Sequence, residues 1–200
     1  EHEFNDSKIL SLNLFGLNAV RNALGFRVNR VDQIDSNDVR DLINGDFNNF
    51  GIESKYLSNY NLFNNKSIFV IGSKVYISRN YSRQGPGSEY SDADFNFYDN
   101  EFPNYINQSD YKYPNQNISI FGETIIKLSD KLSLTPGFRF EYINTKAQGS
   151  YERIVQDAAM NVISHDTIYE NRKNKRSFVL TGIGLTYNIN NNIESYGNIS

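Results

Sequence analysis

Cysteine and tryptophan are missing from the 200 residues, and methionine occurs once. Without cysteine neither a disulfide scaffold nor a thiolate metal site can form. Alanine is scarce, so long helices lack their best former. No run of about 18 apolar residues occurs, which excludes a transmembrane helix but leaves a transmembrane barrel open, because barrel strands carry only a weak hydropathy signal. The chain has 20 Lys and Arg against 23 Asp and Glu, a net charge of −3. They are scattered and form no basic stripe, which argues against a nucleic-acid partner.

What the chain has is 14 Tyr, 14 Phe and many Asn, material for strands joined by turns. Turn chemistry falls at Phe63 to Lys66, Ser129 to Lys131 and Asn188 to Asn192, roughly 60 to 65 residues apart. Between these lie long polar connections, Arg27 to Asn49, Ser82 to Asn115 and Ala147 to Asn174. Connections beyond about 15 residues are uncommon in compact domains. Short turns alternating with long loops are the pattern of an outer-membrane barrel.

The strands alternate accordingly. Ser67 to Tyr81 sets Phe69, Ile71, Val75 and Ile77 against Ile68, Val70, Lys74, Ser78 and Asn80. Asn117 to Leu128 sets Ile118, Ile120, Ile126 and Leu128 against Ser119, Phe121, Glu123 and Lys127. Leu132 to Ile143 sets Leu132, Leu134, Pro136, Phe138, Phe140 and Tyr142 against Ser133, Thr135, Arg139 and Glu141. Pro136 lacks a ladder donor and is expected near a strand start, an edge or a bulge. Leu10, Leu12 and Leu14 fit a strand, although Leu10, Leu14, Leu17 and Leu24 also fit one helix face; the neighbouring strands favour the strand. Ser177 to Tyr187 and Ile193 to Ser200 form a last pair.

Catalytic and metal chemistry finds no foothold. His165-Asp166 lies in a polar connection with no nucleophile elbow, and reads as a loop histidine. The acidic stretch Ser88 to Glu101 opens as Asp92-Ala93-Asp94, but Phe97 stands where a calcium loop needs glycine and Pro103 where it needs glutamate. A solvated acidic loop is the plainer account. Gly85-Pro86-Gly87 is a turn signal without the Lys and Ser/Thr of a phosphate loop. No enzyme and no resident cofactor are expected.

The stretch Ile118-Ser119-Ile120-Phe121-Gly122-Glu123, followed after the turn by Leu132-Ser133-Leu134-Thr135-Pro136-Gly137-Phe138-Arg139-Phe140-Glu141-Tyr142, resembles a recurring hairpin of TonB-dependent outer-membrane receptors. Within that family Leu14 to Phe26, Arg40 to Glu53 and Arg83-Gln84-Gly85 are similar to the ferric dicitrate and siderophore receptor group. The resemblance implies an all-β antiparallel transmembrane barrel of about 22 strands, of which residues 1–200 would supply about six to eight, with long extracellular loops and short periplasmic turns. It implies location in the outer membrane of a Gram-negative bacterium and import of an iron chelate as cargo. The implied partners are outer-membrane lipid, a plug domain of the same parent chain, the TonB complex and the ferric chelate. Plug domain and closing C-terminal strands are expected outside this stretch, whose two ends look cut.

Long loops at one end would form the binding vestibule. Arginine offers forked donors to the carboxylates of a chelate, so Arg79, Arg83 and Arg153, with Gln84, are the candidate ligand contacts at loop ends. The plainer account of each arginine is an ordinary solvated charge. Glu123, Arg139 and Glu141 are expected to face the lumen, where ionised groups avoid hydrocarbon; hydrating the lumen or touching the plug would suffice to explain them. Two rivals share the strand pattern: a plug-less passive channel, and a soluble β-sandwich with Ile118, Ile120, Leu134, Phe138 and Phe140 in a core between two sheets.

Overall fold

The computed structural model describes residues 2–5, 7–26, 31–62, 64–90 and 94–200. Asn and Asp turns and two-residue alternation make every regular element a strand: β1 His2–Asn5, β2 Lys8–Gly25, β3 Asp41–Leu62, β4 Asn65–Pro86, β5 Ser109–Lys127, β6 Leu132–Gln156, β7 Val162–Asn190 and β8 Ile193–Ile199. They form one antiparallel sheet in the order β1 to β8, each strand bonded to its sequence neighbour. Among the described residues β1 and β8 do not pair, so the sheet is open, and no second layer covers it. A sandwich core is thereby ruled out: Ile118, Ile120 and Phe138 are each more than 40% exposed.

The tight turns lie where the asparagines and aspartates are. Asn64 adopts a φ of 61° in the two-residue link between β3 and β4, a left-handed conformation that Asn tolerates; Phe63 lies outside the described residues. The Ser129 hydroxyl accepts from the Lys131 and Leu132 amides at 3.3 and 3.1 Å. The Asn190 carboxamide oxygen accepts from the Asn192 amide at 2.9 Å.

At the opposite end the strands run further than their sequence pattern suggests. The connection expected over Ala147 to Asn174 is instead a hairpin extension, with β6 continuing to Gln156 and β7 starting at Val162. Its strands are polar on both faces, so alternation is lost. Cross-strand pairs hold it, including Arg153 with Asp166 at 3.2 Å and Gln148 with Asn171 at 3.2 Å. His165 is therefore a strand residue, its Nε2 3.0 Å from Glu152. The other two connections shrink to 26–40 and 87–108, and Gly85 and Pro86 close β4 instead of turning the chain. Arg27, at the start of the expected first loop, lies outside the described residues.

Pro136 lies in an interior strand, five residues into β6. The β5–β6 ladder skips from Glu123↔Gly137 to Ile126↔Leu134, and skips again at Pro114, between Lys112↔Gln148 and Asn115↔Thr145. Each proline coincides with an interruption where its missing N–H is not needed, which reconciles it with an interior position.

Register divides the sheet into two faces. One row runs Leu14↔Ile52↔Val75↔Ile118↔Tyr142↔Ser177; the adjacent row, on the other face, runs Asn13↔Glu53↔Lys74↔Ser119↔Glu141↔Phe178. The apolar face continues through Leu10, Leu12, Ile71, Ile120, Phe138, Phe140, Val179, Ile183 and Leu185. Where Ser54 and Ser73 fall on it, their hydroxyls bond each other at 3.1 Å. Near the tight turns, Phe69 packs with Tyr56 and Tyr60 at 6.0 Å between ring centroids. On β4 the apolar band spans Phe69 to Ile77, about nine residues, close to the 9–11 with which a tilted strand crosses a bilayer.

Candidate functional site

Two regions carry concentrated polar chemistry: the polar face of the sheet and the loop-bearing end. On the polar face the Arg139 guanidinium is paired with Glu141, lies 3.2 Å from the Ser119 hydroxyl and sits 5.4 Å above the Phe121 ring. The Asn117 amide donates to Glu141 at 2.8 Å. Two strands away Lys55 pairs with Glu53 at 2.6 Å, and the Lys74 ammonium lies 5.0 Å from the Phe15 ring centre. Glu123, two residues along β5 from Phe121, shares this face. All three residues expected to line a lumen are thus on one surface. Ser119 and Glu141 are buried within it, so these charges are fixed in place and the network is a rigid part of the wall. Above it, the side-chain oxygens of Asn49, Asn80 and Asn115 are buried without a donor.

At the loop-bearing end Leu42 is completely buried and is the one buried hydrophobic side chain among the described residues. Gly87 lets the chain pass beneath Leu24 and Leu42; a methyl there would fall 2.3 Å from Leu24 Cδ1. Arg40 clamps the two connections. Its Nε donates to the Tyr90 carbonyl at 2.7 Å and its Nη1 to Asp35 at 2.6 Å. This pairing, and next the Asn37 amide, hold the Asp35 carboxyl below its ordinary range. Gln84 donates to both Asp41 oxygens, at 3.0 and 2.9 Å, and the Tyr105 hydroxyl to Asp41 at 3.1 Å. Arg83 is paired with Asp99 and stacks on Phe97 at 4.1 Å. Tyr98, hydrogen-bonded to Asp94, keeps that carboxyl low. Asp92, which opened the acidic stretch, lies outside the described residues; among those described no cluster could hold a metal.

Arg83 and Gln84 therefore lie together at the rim of a recess of about 410 Å³ that also meets Asp99, Gln108, Asp110 and Glu152. Arg153 stands apart on the β6–β7 extension, paired with Asp166. Arg79 does not line this recess; it shares the outward face of Val75 and Ile77, just past the apolar band, and Arg83 lies further out on that same face, whereas Gln84 is on the inward one. Arg40 escaped sequence reasoning because nothing local marks it. Its partners are 5 and 50 residues away.

A one-layer sheet with an apolar belt on one face, fixed charges on the other and its loops gathered at one end defines a sector of a transmembrane β-barrel. The chain belongs to the family described as TonB dependent receptor-like, beta-barrel, which it matches over residues 1–200. Barrels of this family are outer-membrane proteins of Gram-negative bacteria, and they are transporters, not enzymes. No curated protein matches it by sequence. Among solved structures it is similar to the ferric yersiniabactin uptake receptor FyuA from Yersinia pestis (TM-score 0.69, 11% identity) over 97% of this chain and 25% of that one. It is also similar to the ferric citrate transporter FecA in its unliganded form (TM-score 0.59, 12% identity), over 98% of this chain and 25% of that one. The chain thus spans about a quarter of the length of these structures, and at such identities the likeness is one of fold.

Proposed function

We propose that this chain is part of the barrel of an outer-membrane receptor that imports an iron chelate, ferric citrate or a siderophore, using energy delivered through TonB. The observation that carries the reading is the two-faced sheet in a member of this family: an apolar belt one bilayer wide, backed by a wall of fixed charges. In this reading the apolar face meets lipid, the tight turns are periplasmic, and the connections 26–40, 87–108 and the β6–β7 extension are extracellular. Residues 1–200 form one sector, and further strands pair with the two open edges to close the barrel.

The polar wall with Glu123, Arg139 and Glu141 then lines the lumen and touches a plug domain. At the vestibule, Gln84 and Arg153, both of inward parity, are the groups that meet the chelate, whereas Arg83 has the outward parity of Arg79. The chelate's carboxylates compete with Asp166 for the Arg153 guanidinium fork. Arg79 and Arg83, on the outer face, are the least suited of the four.

The test is uptake of radiolabelled ferric citrate or siderophore by cells whose only such receptor is the full-length protein, with and without TonB. TonB-dependent accumulation of one chelate supports the proposal. Uptake of none of them, or equal uptake without TonB, contradicts it.

A further inference from the structure

Beyond the belt, the outward face changes character abruptly. On β2 and β3 it carries neutral amides that pair across the strands, Asn18 with Asn48 and Asn22 with Asn44, both at 2.6 Å, and one acid, Asp46, opposite Tyr81. On β4 to β7 it carries cations. Arg79 faces Pro114 across β4–β5, and Lys146 faces Lys173 across β6–β7. Register between the flanking pairs Lys112↔Gln148 and Asn115↔Thr145 puts Pro114 beside Lys146, so Arg79, Lys146 and Lys173 lie in one row. Lys175 lies one row nearer the belt, opposite Asn144, and Lys112 one row further out, opposite Tyr81. At the usual strand spacing the patch is about 14 Å wide.

Three features set this patch apart from a solvated charge run. The acids nearest on this face, Asp46 and Asp110, flank Tyr81 at its outer edge and pair with none of the five cations, and two lysines stand directly opposite each other, an arrangement that destabilises a sheet unless an anion offsets it. None of the five forms an ion pair within the described residues, whereas Arg40, Arg83, Arg139, Arg153 and Arg172 all do. The patch also begins directly above the belt, since Ile77 and Arg79 are successive outward residues of β4. Cations at that height meet headgroups, not hydrocarbon or bulk water.

We infer that Arg79, Lys112, Lys146, Lys173 and Lys175 form a binding site for the phosphate groups of an anionic lipid headgroup in the surrounding leaflet. The inference rests on the reading of the apolar face as lipid-facing. Lysines on neighbouring strands can share one phosphate, and Arg79 adds a fork for a second. Such contacts would anchor the barrel at the height set by the belt, and they assign Arg79 a lipid partner in place of a chelate.

The experiment uses the full-length protein, purified in detergent and analysed by native mass spectrometry with added bis-phosphorylated lipid A. Lys146→Gln, Lys173→Gln and Lys175→Gln are combined in one variant, and Lys→Arg at the same positions in a second. Lipid retention should fall at least tenfold in the first and be kept in the second. The wild-type protein should retain dephosphorylated lipid A poorly, and millimolar inorganic phosphate should not displace the phosphorylated lipid. Both variants should fractionate with the outer membrane and show the heat-modifiable gel mobility of a folded barrel. Equal retention by the folded Gln variant, or equal retention of the dephosphorylated lipid, overturns the site while leaving the barrel reading intact. Displacement by inorganic phosphate overturns the lipid assignment. Wild-type protein that fractionates as a soluble species overturns the barrel reading itself.

Discussion

Phe15 lies across Gly51 on the neighbouring strand so closely that a methyl built on Gly51 would fall 2.1 Å from its Cζ. The ring covers the glycine backbone, stands 6.3 Å from Tyr76 in a stacked geometry and receives the Lys74 ammonium on its face. Phe121 covers Gly72 in the same way, with its Cζ 2.4 Å from where a Cβ would stand. Aromatic cover of this kind compensates for what a strand glycine lacks, a side chain to pack.

Gly51→Ala and Gly72→Ala should therefore each destabilise the full-length protein by about 1–3 kcal/mol, the usual cost of overpacking. Gly72→Ala should be the worse, because its methyl also meets the Ser54 carbonyl at 2.7 Å, which cannot swing aside. Gly137→Ala is the control: its nearest neighbours lie at 3.5 Å, so it should be neutral or slightly stabilising. Urea unfolding in detergent or bilayer measures all three. Equal stability across the set would show that the rings move away freely.

Arg139→Leu should destabilise by roughly 1–3 kcal/mol, because it leaves the buried Glu141 carboxylate with only the Asn117 amide. The pair is not worth that much in itself: Arg139→Leu combined with Glu141→Leu should recover most of the loss. A double-mutant cycle in urea reads the difference. Strictly additive costs would mean that the two residues do not depend on each other.

The Arg40 clamp should be acid-sensitive. Asp35 titrates below its ordinary value because Arg40 holds its charged form. The contribution of the pair is therefore whole above about pH 3.9, the unperturbed value, and is lost as pH falls through the lowered folded one. Limited proteolysis by an acid-active protease should cut near Tyr90 faster below that range. Arg40→Ala should show the faster cutting already at neutral pH, on the order of tenfold. An Arg40→Ala protein with wild-type cleavage would remove the clamp from the account.

The membrane-crossing part of the fold was legible because each strand there has one apolar face, so Phe138, Phe140 and Tyr142 repeat every second residue. Beyond the belt both faces are wet, and residues such as Gln148, Glu152, Asp166 and Asn171 carry no alternation, so a paired extension read as a loop. Sequence also gave the direction of side chains only relative to their strand. Ile77, Arg79 and Arg83 share a face, and that parity separates both arginines from Gln84, but a position near a loop end suggested the vestibule for all three. The Arg40 clamp depends on a carbonyl 50 residues away, and contacts at that separation leave no local signature.

These 200 residues contain no cysteine to compete with an introduced label, and any cysteine elsewhere in the full-length protein is replaced first. Cysteines placed one at a time at Ile118, Ser119, Ile120, Phe121, Phe138, Arg139, Phe140 and Glu141 of the full-length protein, spin-labelled and reconstituted in bilayers, test the central claim most directly. Strict alternation is expected: high oxygen and low aqueous-reagent accessibility at Ile118, Ile120, Phe138 and Phe140, and low oxygen accessibility at the four between. Accessibility to the aqueous reagent at both sets alike would contradict it, because the apolar face would then not be in lipid.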